Sequence, residues 1–165
     1  CHARVGRSLL AYCRRLEPSL DQWISARLGI CDRVHQAIVA QISSSLPAAA
    51  ARSRLFHLRS FGSVANGLCH AASDLDLFVD FFNGDLRPRT VATLIGFTSV
   101  DELMTLLSKR EREEQLLSLI ISPAVEPVSV EKQDLWSGRV PITRCFIPSP
   151  VDTEKAQVDI SCCVS

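Results

Sequence analysis

The chain has 165 residues, 47% of them apolar and 22% charged, enough for one domain with a core and short for two. The apolar content excludes a chain that is mainly disordered. No run of about 18 uncharged apolar residues occurs, which excludes a membrane-spanning helix. Basic and acidic residues balance overall, but residues 1–59 hold nine arginines against three acids, and residues 60–165 hold nine basic against fifteen acidic residues. A basic front half suits an anionic partner such as nucleic acid, and an acidic back half suits a cation. Solvated helix faces give the same pattern.

Seven cysteines with no CxxC pair, two of them adjacent at Cys162-Cys163, point to reduced thiols in an intracellular protein rather than a disulfide framework. Cytoplasm, nucleus and mitochondrion are not distinguished by this. His2, His35, His57 and His70 lack zinc-ligand spacing with the cysteines. A start at Cys1 and an end just past an apolar run lead us to expect a piece of a longer protein.

In chain order, Pro18-Ser19 with Gln22 predicts a capped helix start. Leu20, Trp23, Ile24, Leu28, Cys31, Val34, Ile38 and Ile42 then recur at helical spacing, and the helix should end near Ser43 to Pro47. Leu55 to Phe61 is a strand candidate ended by Gly62. Leu75 to Phe82 is the clearest strand, with the turn dipeptide Asn83-Gly84 behind it. A second helix is expected from Ser99, boxed by Glu102, with Val100, Leu103, Met104 and Leu107 inward and the charged run Lys109 to Glu114 as its solvated end. Val125 to Val130, Arg139 to Ile147 and Ala156 to Cys163 alternate as strands, with Pro141 at an edge or bulge. The polar segment Pro148 to Glu154 reads as a loop with no assigned function. The order implies an α+β fold, a mixed sheet covered by helices on one face.

Two acids carry the chemical signal. Asp74 and Asp76 are two apart on a strand pattern, so both leave one face while Leu75, Leu77 and Val79 leave the other. Carboxylates held together repel unless a cation sits between them, and paired divalent ions on carboxylates serve phosphoryl transfer. Two solvent-facing acids on a half-exposed strand are the plain alternative. Upstream, Gly62-Ser63 offers a backbone turn and a hydroxyl to a phosphate, although a Gly-Ser after a strand is commonly a turn alone. Downstream, Asp159 faces away from Val158, Ile160 and Cys162, together with Gln157 and Ser161. There it could complete a metal cluster and serve as base toward a hydroxyl. Asp80 shares the face of Asp74 and Asp76 and is read as a strand-end charge outside the site.

The stretches FGSVANGLCHAASDLDLFVDF and RVPITRCFIPSP, followed by QVDIS, resemble the DNA polymerase beta-like nucleotidyltransferase superfamily, in its terminal uridylyltransferase and poly(A) RNA polymerase branch. The resemblance runs from about Leu20 to Ser161. It implies a palm-like catalytic domain over residues 19–165, preceded by an extension over residues 1–18. The helical nucleotide-recognition domain that should follow is expected to be absent from this chain, so activity of the fragment alone is open. By resemblance, Asp74, Asp76 and Asp159 are the catalytic and metal-binding carboxylates, holding two Mg²⁺ (or Mn²⁺) ions. Gly62 and Ser63 bind the phosphates of the nucleoside triphosphate, UTP or ATP.

The implied reaction is attack of an RNA 3′-hydroxyl on the α-phosphate of the triphosphate, with release of pyrophosphate. The implied partners are an RNA 3′ end and the nucleotide, with no membrane. The alternative is an inactive nucleotidyltransferase-fold scaffold or RNA-binding regulatory module. A single-domain transferase acting on a protein or small molecule fits the long first helix and the RVPI strand less well. A structural calcium site lacks EF-hand spacing.

Overall fold

A computed structural model describes residues 2–46, 55–66, 73–81, 88–149 and 155–163, with residues 2–18 described by backbone alone. Helix α1 (His2–Ser45) is followed by strand β1 (His57–Phe61), the single turn α2 (Gly62–Ala65) and strand β2 (Leu75–Asp80). Helices α3 (Pro88–Leu94), α4 (Val100–Leu106) and α5 (Lys109–Leu116) come next. A π-helical turn at Leu117–Ile121, the short α6 (Ser122–Val125) and a 3₁₀ turn (Glu126–Val128) lead into β3 (Glu131–Leu135), β4 (Ile142–Pro148) and β5 (Lys155–Cys163). The five strands form one mixed sheet in the order β1-β2-β5-β4-β3, as an α+β fold requires. Among the described strands, only the central pair β2 and β5 is parallel.

Alternation along the strands decides which face is core. Leu75, Leu77 and Val79 of β2, Val158, Ile160 and Cys162 of β5, and Cys145 and Ile147 of β4 are buried. They join Ile30, Val34, Ile38 and Ile42 of α1, spaced one helical turn apart and fully buried, in one cluster. Each such side chain contributes about 1.5–3 kcal/mol of apolar burial. The opposite face carries the polar members of the same strands, among them Asp76, Arg144, Gln157 and Asp159.

Several expectations are corrected. Helix α1 runs straight through Pro18-Ser19 rather than starting there. The Ala-, Arg- and Leu-rich flank favours helix enough to carry a proline whose local cost is about 3 kcal/mol. Its buried stripe takes in Arg27 and Ile30 and leaves Leu28 52% exposed. An arginine filling a core position is invisible to a pattern that counts apolar residues. Ser99 does cap α4, accepting from the Glu102 N–H at 3.1 Å, while Glu102 turns back to the Thr98 N–H and hydroxyl. Met104, expected inward, is exposed.

The charged run from Lys109 is a helix of its own, opened by a capping box between Ser108 and Glu111. Val125 to Val130 is not a strand: Ser122–Val125 is helical and Glu126–Val128 is a 3₁₀ turn. Pro123 lacks an N–H, and the turn before it widens so that the Ser122 N–H reaches Leu117 O. Helix α3 and the edge strand β3 are additions to the expected elements. The sequence of β3, Glu131-Lys132-Gln133-Asp134-Leu135, is too polar to read as a strand, yet it pairs along β4. Its Asp134 accepts from the hydroxyls of Ser122 and Thr143 at 3.1 and 2.9 Å. Pro141 stands just outside β4. The Asn83-Gly84 turn and most of the Pro148 to Glu154 segment lie outside the described residues.

Candidate active site

The five predicted residues come from three elements that the sheet brings together. Strand β2 carries Asp76, and Asp74 lies just before it. Parallel pairing sets Asp76 opposite Asp159 of β5, so both side chains leave the same face. The antiparallel partner of Asp76 on its other side is Phe61, the residue before Gly62. Gly62 itself has φ +68°, the left-handed region open to glycine, and a Cβ there would lie 2.5 Å from Oδ2 of Asp76. The Gly-Ser turn is therefore packed against the central carboxylate, with Ser63 next in the helical turn that follows.

Register extends this row across the sheet. Asp159 faces Arg144 of β4, and Arg144 faces Gln133 of β3. Arg144 donates from Nε to Asp159 Oδ1 at 2.8 Å and from Nη2 to Oδ2 at 2.7 Å, a two-pronged pair. Gln157, two residues before Asp159 on the same face, donates its amide to Asp74 Oδ2 at 3.0 Å and to Asp159 Oδ1 at 3.5 Å. From the rear, the buried Arg27 of α1 donates from Nη2 to the Ser73 carbonyl at 3.1 Å, anchoring the backbone immediately before Asp74.

Three carboxylates thus share a small region with one guanidinium. Partial burial, then the charges of Asp159 and Asp74, push the Asp76 pKa above its ordinary value. Among the described residues, no three His, Cys, Asp or Glu side chains stand grouped to hold a metal ion. The donor chemistry nevertheless fits a hard divalent cation: all-oxygen ligands, and an excess of negative charge felt at Asp76. Asp74 and Asp76 could hold such an ion, and Asp159 could join them once an oxygen leaves Arg144.

Asp80 is the last residue of β2, the strand-end charge expected. It is buried, with Arg59 Nη2 3.8 Å from its Oδ2. Arg144 is a site residue that the sequence does not single out. The alternation of Thr143, Cys145 and Ile147 puts it outward, but only strand register shows which carboxylate it meets. Alternation likewise places Gln157 on the correct face without giving it a role. An open depression of about 330 Å³ between α1 and the end of β4 is lined by Ser25, Ala26, Gly29, Arg33, Pro148 and Ser149, none of them predicted site residues. No described helix is long and apolar enough to cross a membrane.

The fold is shared with solved structures of low sequence identity. The structure of the GLD-2/RNP-8 complex matches with TM-score 0.55 and 22% identity over 86% of this chain and 41% of that one. A crystal structure of mtPAP in complex with UTP matches with TM-score 0.53 and 21% identity over 86% of this chain and 25% of that one. A structure of Cid1, described for its RNA terminal uridylyl transferase activity, matches with TM-score 0.52 and 16% identity over 94% of this chain and 36% of that one. This chain therefore spans less than half the length of those solved chains. No curated protein sequence matches it. The family model for the poly(A) RNA polymerase, mitochondrial-like, central palm domain matches residues 8–163, nearly the whole chain. With that match, and with the mixed sheet and its row of carboxylates in place, the chain belongs to the mitochondrial-like poly(A) RNA polymerase central palm domain family.

Proposed function

We propose that this chain is the catalytic palm of a template-independent RNA 3′-terminal nucleotidyltransferase, adding a uridylyl or adenylyl group from a nucleoside triphosphate to an RNA 3′-hydroxyl. The observation that carries this reading is the alignment of Asp76 with Asp159 in one register, with Gly62 packed on Asp76. Structures of similar fold support the substrate class: mtPAP has been solved in complex with ATPγS and with UTP. The palm would occupy residues 19–165. Choice between UTP and ATP would belong to a helical recognition domain outside it.

In this reading Asp74 and Asp76 hold divalent ions, Mg²⁺ or Mn²⁺. When bound, such ions supply charge neutralisation on the phosphates and a lowered hydroxyl pKa. The Gly62 turn and the Ser63 hydroxyl orient the triphosphate by hydrogen bonds. Asp159 would serve the 3′-hydroxyl, where a carboxylate orients the nucleophile and accepts its proton. The 3′-oxygen then bonds to the α-phosphorus, the bond from that phosphorus to its bridging oxygen breaks, and pyrophosphate departs.

The test uses the full-length protein with a labelled RNA primer, Mg²⁺ and each nucleoside triphosphate separately. An Asp74→Ala, Asp76→Ala double variant runs alongside. Extension by the wild type and not by the variant is the expected result, and the preferred triphosphate names the subclass. A folded, metal-supplied wild type that extends no primer with any nucleotide would overturn the reading in favour of a scaffold.

A further inference from the structure

Asp159 is the carboxylate to which the proposed reaction assigns the nucleophile, yet both of its oxygens are engaged. Arg144 takes Oδ1 at 2.8 Å and Oδ2 at 2.7 Å. The pair is set by direct cross-strand register, so backbone pairing alone brings the two side chains face to face. The side chains are only 15% exposed at Asp159 and 30% at Arg144. That lifts the pair out of the class of screened surface bridges, whose net worth is about 0–1 kcal/mol. Gln157 adds a third donor to the cluster, spanning Asp74 and Asp159.

From this arrangement we infer that Arg144 is a positioning residue that holds Asp159 and withholds it from cations until substrate is bound. The inference rests on the transferase reading above for its link to turnover. Its physical basis is independent of that reading. A guanidinium fork and a divalent cation compete for the same two carboxylate oxygens. Without Arg144, the Asp159 carboxylate would stand beside Asp76 with no guanidinium on it, and a free cation would bind there more readily. With Arg144 in place, Asp159 is kept in a fixed orientation, and one of its two bonds must open before a metal can reach it.

The test compares full-length wild type with Arg144→Lys and Arg144→Met, each checked for folding by thermal melting. Mn²⁺ binding to the nucleotide-free protein is read by electron paramagnetic resonance, and primer extension gives kcat and the KM for nucleotide. Arg144→Met should bind Mn²⁺ about tenfold more tightly than wild type. Its kcat should fall about a hundredfold, the scale of a misplaced reacting group, with KM held within about threefold. Lys restores the charge without the fork, so Arg144→Lys should return Mn²⁺ affinity close to wild type while recovering kcat only in part.

In an Asp159→Asn background the Arg144→Met effect on Mn²⁺ should disappear, which a purely structural ion pair would not produce. Should Arg144→Met fail to fold, Arg144→Gln takes its place. Unchanged or weaker Mn²⁺ binding by the uncharged variant would overturn the inference. So would a raised KM with kcat preserved, which would make Arg144 a phosphate contact. A wild type that extends no primer would sink the transferase reading, while the Mn²⁺ comparison would still decide this one.

Discussion

Gly62 and Asp76 leave no room for a side chain between them: a Cβ built on Gly62 would sit 2.5 Å from Oδ2 of Asp76. The same glycine has φ +68°, so two separate constraints fall on one position. Gly62→Ala should therefore destabilise the fold by about 1–3 kcal/mol, the usual cost of a non-glycine residue held at such a φ. It should also displace the Asp76 carboxylate and depress primer extension well beyond what the loss of stability explains. Urea denaturation beside an extension assay on the same sample checks both. A variant with full activity would show that the turn does not fix the carboxylate.

Asp76 carries a pH signature. Burial, followed by the charges of Asp159 and Asp74, raises its pKa in the folded chain. The unfolded chain then releases this proton at a lower pH than the folded chain does. Stability attached to Asp76 is greatest at acid pH and declines as pH rises from the ordinary aspartate range through the raised folded value. In metal-free buffer, Asp76→Asn should be more stable than wild type at neutral pH, and the gap should close on acidification. Denaturant midpoints at two pH values measure it, and a less stable Asn variant at neutral pH would refute it.

Arg27 reaches from the core side of α1 to the carbonyl of Ser73. Arg27→Met keeps the apolar stem and deletes the charged donor, and should cost about 1.5–3 kcal/mol. Because the lost bond holds the backbone just ahead of Asp74, activity should fall at temperatures where the variant is still fully folded. A thermal melt paired with extension kinetics separates the two effects.

The thiols give a chemical test of the sheet. Burial, with the charge of Asp159 behind it, pushes Cys145 up to about 12, and burial foremost raises Cys162 also. Neither forms appreciable thiolate near neutrality. Iodoacetamide at pH 8 should leave both unmodified in the native protein and alkylate both in denaturant, as peptide mass spectrometry would show. Labelling of Cys145 in the native state would contradict the placement of β4 in the core.

The chemistry along single strands is legible in the amino-acid order. Asp74 and Asp76, and Asp159 with Gln157, fall on the polar side of clear alternations, so the carboxylates and the α+β class follow from periodicity and resemblance. The contacts between strands do not. Arg144 lies 15 residues from Asp159 in sequence, and only register joins them. Edge strand β3 gives no apolar signal because its stability comes from pairing and from the Asp134 hydrogen bonds. The stretch from Val125 imitates a strand because a proline-bounded helical end and a short apolar strand share one composition. Arg27 is hidden within the helix stripe for a related reason: burial of a charged side chain depends on a partner 46 residues away.

The parallel pairing of β2 with β5 has a kinetic consequence. Asp76 and Asp159 meet only after the chain between them has returned to the sheet, the slowest kind of contact for a chain to close. Until then Asp159 lies 83 residues along the chain from Asp76, and the row that joins it to Asp74 and Asp76 has not formed. Ligands of the completed row therefore bind the finished fold alone, and at saturating concentration they should slow its unraveling and raise its melting temperature.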